Sequence, residues 1–241
     1  MLVHLQCHLM KYSYKILLFV ITLLINLFLY IQFFYELDSI ENVSCEHAIV
    51  NFTEENILKY NADISNVKNI PTKFEDVIIT AFYFFPELEN VRIEFFEEKI
   101  STTMNCRPNP WKLLKGKRHY EIRINNADSF EGPLLKDTPF NAQIGVIAHE
   151  FAHILDYEAG SIFRVIKRGL DYLNNHSKRN FEHEIDFLTI QKGFGHQLLD
   201  WLDFLMDENN PNITEAYRSF KREIYLDSET LSSLMESTDC Y

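Results

Sequence analysis

The stretch Ala148-His149-Glu150-Phe151-Ala152-His153 lies near the middle of a long segment whose apolar residues recur at helical spacing. In a helix, His149 and His153 are one turn apart on the same face, and Glu150 lies about 100° around the axis from His149. Zinc hydrolysis needs two neutral nitrogen ligands and a carboxylate that can take a proton from water. The stretch therefore predicts a zinc site with His149 and His153 as ligands and Glu150 as the catalytic base.

A chance copy of the same pattern would usually fall on an exposed, charged helix. Here apolar residues frame the pattern and indicate a helix that is mostly buried. They are Ile144, Ile147, Phe151, Ile154 and Leu155. Burying two histidines and a glutamate is costly unless a partner satisfies them, and a metal ion does so. We therefore interpret the motif as metal binding, with one Zn²⁺ ion.

Length and composition indicate one domain of ordinary size. The chain has 241 residues, of which 46% are hydrophobic, enough for a packed core. Its formal net charge is −12, which argues against nucleic acid as a partner because phosphate backbones attract basic patches. Neither length nor composition determines the oligomeric state.

Residues 16–35 form an apolar run of 20 residues. A helix of that length spans about 30 Å, the thickness of the hydrocarbon core of a bilayer. Lysines precede the run and acidic residues follow it, so the positive-inside rule leaves the N-terminus in the cytoplasm. The alternative is a signal peptide that is cleaved, which would give a secreted protein. The predicted organisation is a cytoplasmic tail at 1–15, a transmembrane signal-anchor in the lipid bilayer at 16–35, a stalk at 36–70 and an extracytoplasmic domain at 71–241.

Three cysteines follow the apolar run, namely Cys45, Cys106 and Cys240. If the domain lies outside the membrane, they meet an oxidising compartment, and two of them could form one disulfide. The sequence leaves the pairing open.

Alternation of apolar and polar residues predicts two strands, at 91–96 and 119–124, ahead of the motif helix. Between them, 101–117 contains Arg107-Pro108-Asn109-Pro110 and is predicted to be a loop. The motif helix is expected to begin near Pro139 to Asn141 and to end at about Tyr157. Further helices are expected at 74–84, 161–173, 181–192, 197–206 and 213–225. The expected fold class is α+β, mostly helical, with a small antiparallel sheet and one N-terminal transmembrane helix.

A catalytic zinc ion generally has three protein ligands and one open position. Glu182 is the favoured third ligand because it lies on the next-but-one predicted helix, with 28 residues between it and His153. Asp186 is four residues further along the same face and could hold a ligand histidine by its distal N–H. His183 and His196 are the alternative third ligands.

These two motifs resemble those of the gluzincin metallopeptidases, the group that includes thermolysin and the HtpX-type membrane proteases. In that family His-Glu-x-x-His supplies two ligands and the base, and a downstream Glu-x-x-x-Asp supplies the third ligand and an orienting carboxylate. The matching residues are His149, Glu150, His153, Glu182 and Asp186. The spacing of Glu182, Glu184 and Asp186 is more similar to the HtpX-type pattern than to that of thermolysin. The chain departs from it at Ile185, where an alanine is usual, and in having a single predicted membrane span.

The resemblance implies a zincin-like domain that hydrolyses peptide bonds in a protein or peptide substrate. It also implies that an extended peptide lies along an edge strand. That edge is expected at Tyr120, Glu121, Ile122 and Arg123, and the candidates for stabilising the oxyanion are His196, Tyr217, Arg218 and Tyr225. The alternatives are a catalytically silent zinc-binding scaffold at the membrane and a zinc hydrolase of a non-peptide amide or ester.

Overall fold

The computed structural model describes residues 20–22, 52–238 and 241. The chain divides into two units, Met1–Glu41 and Asn42–Tyr241. In the first unit, residues 20–22 are helical. Every element named below belongs to the second unit.

Helices dominate the described part of the second unit, and a small sheet precedes the longest of them. The strands are β1 (Val67–Lys68), β2 (Ile93–Glu98), β3 (Met104–Pro108) and β4 (Tyr120–Asn125). The α-helices are α1 (Glu75–Tyr83), α2 (Pro110–Leu113), α3 (Phe140–Glu158), α4 (Ile162–Asp171), α5 (Asn175–Gln191), α6 (Gly195–Met206), α7 (Glu215–Ile224) and α8 (Ser228–Glu236). Short 3₁₀ helices lie at Asn56–Lys59, Thr72–Phe74, Pro86–Leu88 and Leu135–Asp137.

No helix among these described residues is both long and apolar enough to cross a bilayer. This finding contradicts our prediction of a single-pass membrane protein and removes the transmembrane helix from the fold class. The predicted tail at 1–15, and all of the predicted anchor at 16–35 except 20–22, lie outside the described residues. Of the predicted stalk, residues 52–70 are described, and they begin at Phe52, which is buried against the core.

The sheet has the strand order β1-β2-β4-β3. β1, β2 and β4 are parallel, and only β3 is antiparallel to its neighbour β4. The prediction of an antiparallel sheet was therefore wrong, and the sheet is mixed. Parallel neighbours need a crossover connection. Helix α1 provides it between β1 and β2, and the segment that contains β3 provides it between β2 and β4. Apolar alternation identifies the buried face of a strand but not its direction.

The predicted loop at 101–117 contains β3 and α2 instead. Both prolines suit their places, because Pro108 ends a strand at the edge of the sheet and Pro110 begins a helix, where no N–H is needed. The side chain of Asn109 caps α2 by accepting from the amide of Lys112 at 2.9 Å. Cys106 on β3 is buried and forms no disulfide within the described residues, which do not include Cys45 and Cys240.

α3 is the central element of the unit and packs on α6, α1, α5 and β3. Its observed bounds agree with the sequence-based expectation to within about one residue. Gly145 explains how α6 can approach so closely. A Cβ at this position would lie 2.3 Å from the carbonyl oxygen of Gln197, so the two helices meet backbone to backbone.

The C-terminal end of α3 is fixed to α4 by a buried ion-pair network. Asp156 on α3 accepts from Arg164 at 2.6 Å and from Arg168 at 2.8 and 3.0 Å. Burial opposes ionisation of Asp156, but the two guanidinium groups outweigh it and lower the pKa of its carboxyl. Arg168 also donates to Glu184 of α5 at 2.5 Å. The network therefore joins the two helices that carry the motif residues.

Candidate metal centre

α3 and α5 bring three of the sequence-predicted residues together. His149 and His153 lie one turn apart on α3, and Glu182 reaches them from α5. One ligand atom from each residue lies within 4.8 Å of the other two, and all three side chains are buried. The group of His149, His153 and Glu182 could therefore hold a metal ion.

The spacing of these atoms fits a tetrahedral ion. Oε2 of Glu182 lies 3.3 Å from Nε2 of His149 and 3.5 Å from Nε2 of His153. Zinc bonds of about 2.0–2.1 Å place neighbouring tetrahedral ligands about 3.3 Å apart. Within the described structure, this buried Oε2 atom makes no hydrogen bond. A cation between the three atoms would satisfy it without moving the helices.

Two further side chains hold these ligands in place. Asp186 lies one turn after Glu182 on α5, and its Oδ1 is 2.9 Å from Nδ1 of His149. A carboxylate at Nδ1 fixes the imidazole tautomer that leaves Nε2 available to a metal. Tyr172, just beyond α4, donates its hydroxyl hydrogen to Oε1 of Glu182 at 2.7 Å. The other carboxylate oxygen of Glu182 therefore remains directed at the two imidazoles.

The charges of the group favour a positive ion. Burial would lower the pKa of His149, but the carboxylates of Asp186 and Glu182 outweigh it and raise this pKa to about 10. Burial would likewise raise the pKa of Glu182, yet the imidazoles of His153 and His149 hold it well below its ordinary value. The surroundings therefore stabilise positive charge where a metal ion would lie.

Glu150 is buried beside the group, and its Oε2 makes no hydrogen bond within the described structure. Burial raises the pKa of its carboxyl, and the charges of His153 and His149 oppose this rise only in part. A carboxylate with a raised pKa is a better proton acceptor near neutral pH. These properties suit the role of a general base.

A cavity of about 30 Å³ adjoins His149 and Glu150. That volume is enough for a water molecule. β3 contributes Met104 to the wall, α6 contributes Trp201, and Lys221 and Tyr225 line it from the C-terminal end of α7.

The remaining predicted residues are distributed more widely. Of the four oxyanion candidates, only Tyr225 lines this cavity. Arg218 donates to the backbone carbonyls of Asp207 and Asn210, at 2.7 and 3.1 Å, which is a structural role. Tyr217 packs edge-on against Phe130, and the exposed ring of His196 packs edge-on against Tyr241. Neither His183 nor His196 belongs to the group that could hold a metal among the described residues.

The expected substrate strand is not at an edge. Tyr120, Glu121, Ile122 and Arg123 belong to β4, which pairs with β2 on one side and with β3 on the other. The expectation came from the resemblance, which implies an edge strand ahead of the motif helix. In the described sheet, the edge strand that packs on α3 is β3.

Sequence reasoning missed two residues of the site, Lys221 and Tyr172. Lys221 lies midway between Tyr217 and Tyr225, at a spacing of four residues that places all three near one helical face. That pattern could have drawn attention to Lys221. Nothing in the sequence marks Tyr172, because its role depends on how α4 packs on α5.

Comparisons with family models, with curated proteins and with solved structures found no match to this chain. The resemblance to gluzincins therefore rests on the five matched motif residues. What the fold and site define is a largely helical domain with a small mixed sheet of four strands and, between two helices, a buried group of two histidines and one glutamate.

Proposed function

We propose that the protein is a zinc-dependent peptidase. The observation that carries the proposal is the position of Glu182 Oε2, 3.3 and 3.5 Å from the two imidazole Nε2 atoms, with the buried carboxylate of Glu150 beside them. Two nitrogen ligands and one carboxylate oxygen form a donor set that suits zinc and leaves a fourth position open. A structural zinc site, in contrast, usually has four protein ligands.

His149, His153 and Glu182 would hold the ion. When bound, zinc lowers the pKa of a coordinated water to about 7 and polarises a carbonyl group. Glu150 accepts the proton of the attacking water and delivers it to the nitrogen of the leaving amine. Asp186 keeps Nε2 of His149 directed at the ion.

In the described sheet, the outer edge of β3 supports an extended peptide as the substrate, although the Met104 carbonyl there already accepts from the Thr102 hydroxyl at 2.8 Å. The amides of Asn125 and Asn109 donate across the β3–β4 pair, to the carbonyls of Thr103 and His119. Antiparallel alternation then directs the backbone groups of the intervening Met104 and Cys106 away from β4. A peptide could pair there as an added strand beside α3. Pro108, which has no N–H, limits such pairing at the far end of β3.

The test is hydrolysis of fluorescently labelled, unfolded casein by the full chain loaded with zinc. Glu150→Gln should reduce kcat by about 10²- to 10⁴-fold, since it removes the base, while zinc content stays at one ion per chain. The matched control is Glu184→Gln, a change at an exposed carboxylate of α5, which should retain activity. Cleavage that survives Glu150→Gln, or removal of the metal by a chelator, would refute the mechanism.

The same experiment separates the other candidate functions. Zinc bound at full occupancy without cleavage of casein or of a nitrophenyl ester would indicate a catalytically silent zinc-binding protein. Cleavage of the ester alone, dependent on Glu150, would indicate a hydrolase of non-peptide substrates.

A further inference from the structure

Lys221 is a buried cation whose place in the structure is unusual. Its side chain is 5% exposed, yet it lines the same cavity as His149 and Glu150. Its ammonium lies 4.1 Å from the ring centroid of Tyr225 and 5.5 Å from that of Tyr217. Within the described residues, no carboxylate lies within ion-pair distance of it. The aromatic faces of Tyr225 and Tyr217 stabilise the ammonium through cation–π contacts, while the side chain lines the cavity beside Glu150.

The other cations of α7 have partners that explain them. Arg218 donates to two backbone carbonyls, and Arg222 pairs with Glu215 at 2.7 Å on the surface. Lys221 and Arg222 both lie in the last turn, where a cation stabilises the helix dipole, and the exposed Arg222 shows that this role does not need a buried side chain. Lys221 therefore does not need to be buried in order to stabilise the end of the helix or to form a surface ion pair.

The cavity has complementary polar groups around it. Glu150 contributes an acceptor oxygen, Oε2, that makes no hydrogen bond to any described residue, and the Lys221 ammonium contributes donors from a different helix. The volume of about 30 Å³ admits a water molecule or one oxygen of a ligand. An oxygen that gains negative charge there would lie beside a cation that the helix already holds in place, an arrangement that stabilises such a charge.

We propose that Lys221 is a catalytic residue whose ammonium stabilises the oxyanion formed on the substrate. This rests on the proposed peptidase function. As the water oxygen bonds to the carbonyl carbon, its proton passes to Glu150 and the π electrons of the carbonyl move to its oxygen, which Lys221 stabilises. When the carbon–nitrogen bond breaks, its electron pair goes to nitrogen, which takes the proton from Glu150. The charge on the oxyanion returns to re-form the carbonyl, so atoms and electrons balance.

The first test is kinetic and uses the full chain with zinc. Lys221→Met keeps an unbranched apolar stem against the tyrosines but removes the charge. It should lower kcat on casein by about 10²- to 10³-fold, the effect of losing one oxyanion donor, with KM and zinc affinity changed less than about threefold. The matched control, Arg222→Met, removes a cation from the same turn and should leave kcat unchanged. Tyr225→Phe tests the alternative that the Tyr225 hydroxyl, and not the Lys221 ammonium, stabilises the oxyanion. A loss of kcat in this variant alone would overturn the proposal.

The second test does not depend on turnover. Inorganic phosphate, a small tetrahedral oxyanion, is titrated into the zinc-loaded protein by calorimetry. Lys221→Met should weaken phosphate binding at least tenfold, and Lys221→Arg should restore part of it. If casein is not cleaved but phosphate binding depends on Lys221, the peptidase proposal fails while Lys221 is still the anion-binding group. If both kcat and phosphate binding are unchanged in Lys221→Met, or if this variant loses only stability, Lys221 is structural and the assignment is overturned.

Discussion

Glu182→Gln is the smallest change that tests the candidate metal centre. Glutamine has the same shape as glutamate, and its carbonyl oxygen can still accept the hydrogen bond from Tyr172. Its NH₂ group then faces Nε2 of His149 and His153 in place of Oε2. An amide NH₂ has no lone pair to offer a metal, so the variant removes one ligand and keeps the packing.

The expected loss of zinc affinity follows from the number of ligands. Four-ligand zinc sites bind with about 10–16 kcal/mol, which is about 3 kcal/mol for each ligand. Removing one of three ligands should therefore raise the zinc Kd by roughly a hundredfold. The zinc affinity should fall by at least this much, because Glu182→Gln also removes a negative charge. The pKa of Glu182 lies well below its ordinary value, so the carboxylate is ionised at pH 7.

The measurement is a competitive titration of metal-free protein against a fluorescent zinc chelator at pH 7. Two matched variants on α5 serve as controls. Glu184→Gln changes an exposed carboxylate, and His183→Ala removes the alternative ligand. Both should bind zinc within about threefold of the unmodified chain. An unchanged Kd for Glu182→Gln, or an equal loss for His183→Ala, would refute the assignment of Glu182 as third ligand.

Three other changes test the surroundings of the site. Asp186→Asn should raise the zinc Kd about 10- to 100-fold in the same titration, because His149 loses the carboxylate that orients it; equal affinity would contradict this. Asp156→Asn should cost about 3 kcal/mol of unfolding free energy at pH 7, since it removes the buried carboxylate that Arg164 and Arg168 share. The pKa of Asp156 is lowered below 3.8, so its contribution is present above that value and is lost as the pH falls towards the folded-state pKa. Urea unfolding at falling pH should therefore show the two proteins converging, and a constant difference would argue against the ion pairs as its source. Gly145→Ala should cost about 3 kcal/mol through the clash with the α6 backbone, whereas Gly169→Ala, in open space on α4, should not destabilise; similar melting temperatures would contradict the close helix contact.

The parts of the site that could be predicted are those set by local geometry. Spacing alone places His149 and His153 on one face of α3, because helix periodicity is fixed. The same rule relates Glu182 to Asp186 on α5. Apolar periodicity also located most helices, although α5 begins at Asn175, six residues before the predicted start. Asn174 caps that start by accepting from the amide of Ser177 at 2.8 Å, a cue that the apolar pattern does not contain.

What could not be predicted depends on contacts between segments distant in sequence. The direction and order of strands are decided by which strands pair, and apolar alternation is the same in parallel and antiparallel strands that bury one face. The resemblance placed β4 at an edge, whereas β3, in a segment predicted to be a loop, occupies that edge. Tyr172 and Lys221 reach the site only through the packing of α4 on α5 and of α7 near α3.

The small size of the cavity follows from the contact that Gly145 allows. Gly145 precedes His149 by four residues, so it lies nearly in line with the two histidines along α3. Where it meets the backbone of α6, it brings Leu198 and Trp201 against the cavity as an apolar wall. A wider gap between the helices would admit more water, and water screens charges such as those of the Glu150 carboxylate and the Lys221 ammonium. Gly145, which lets α3 and α6 touch, thus also limits the screening of the charges of Glu150 and Lys221, both towards each other and towards a ligand between them.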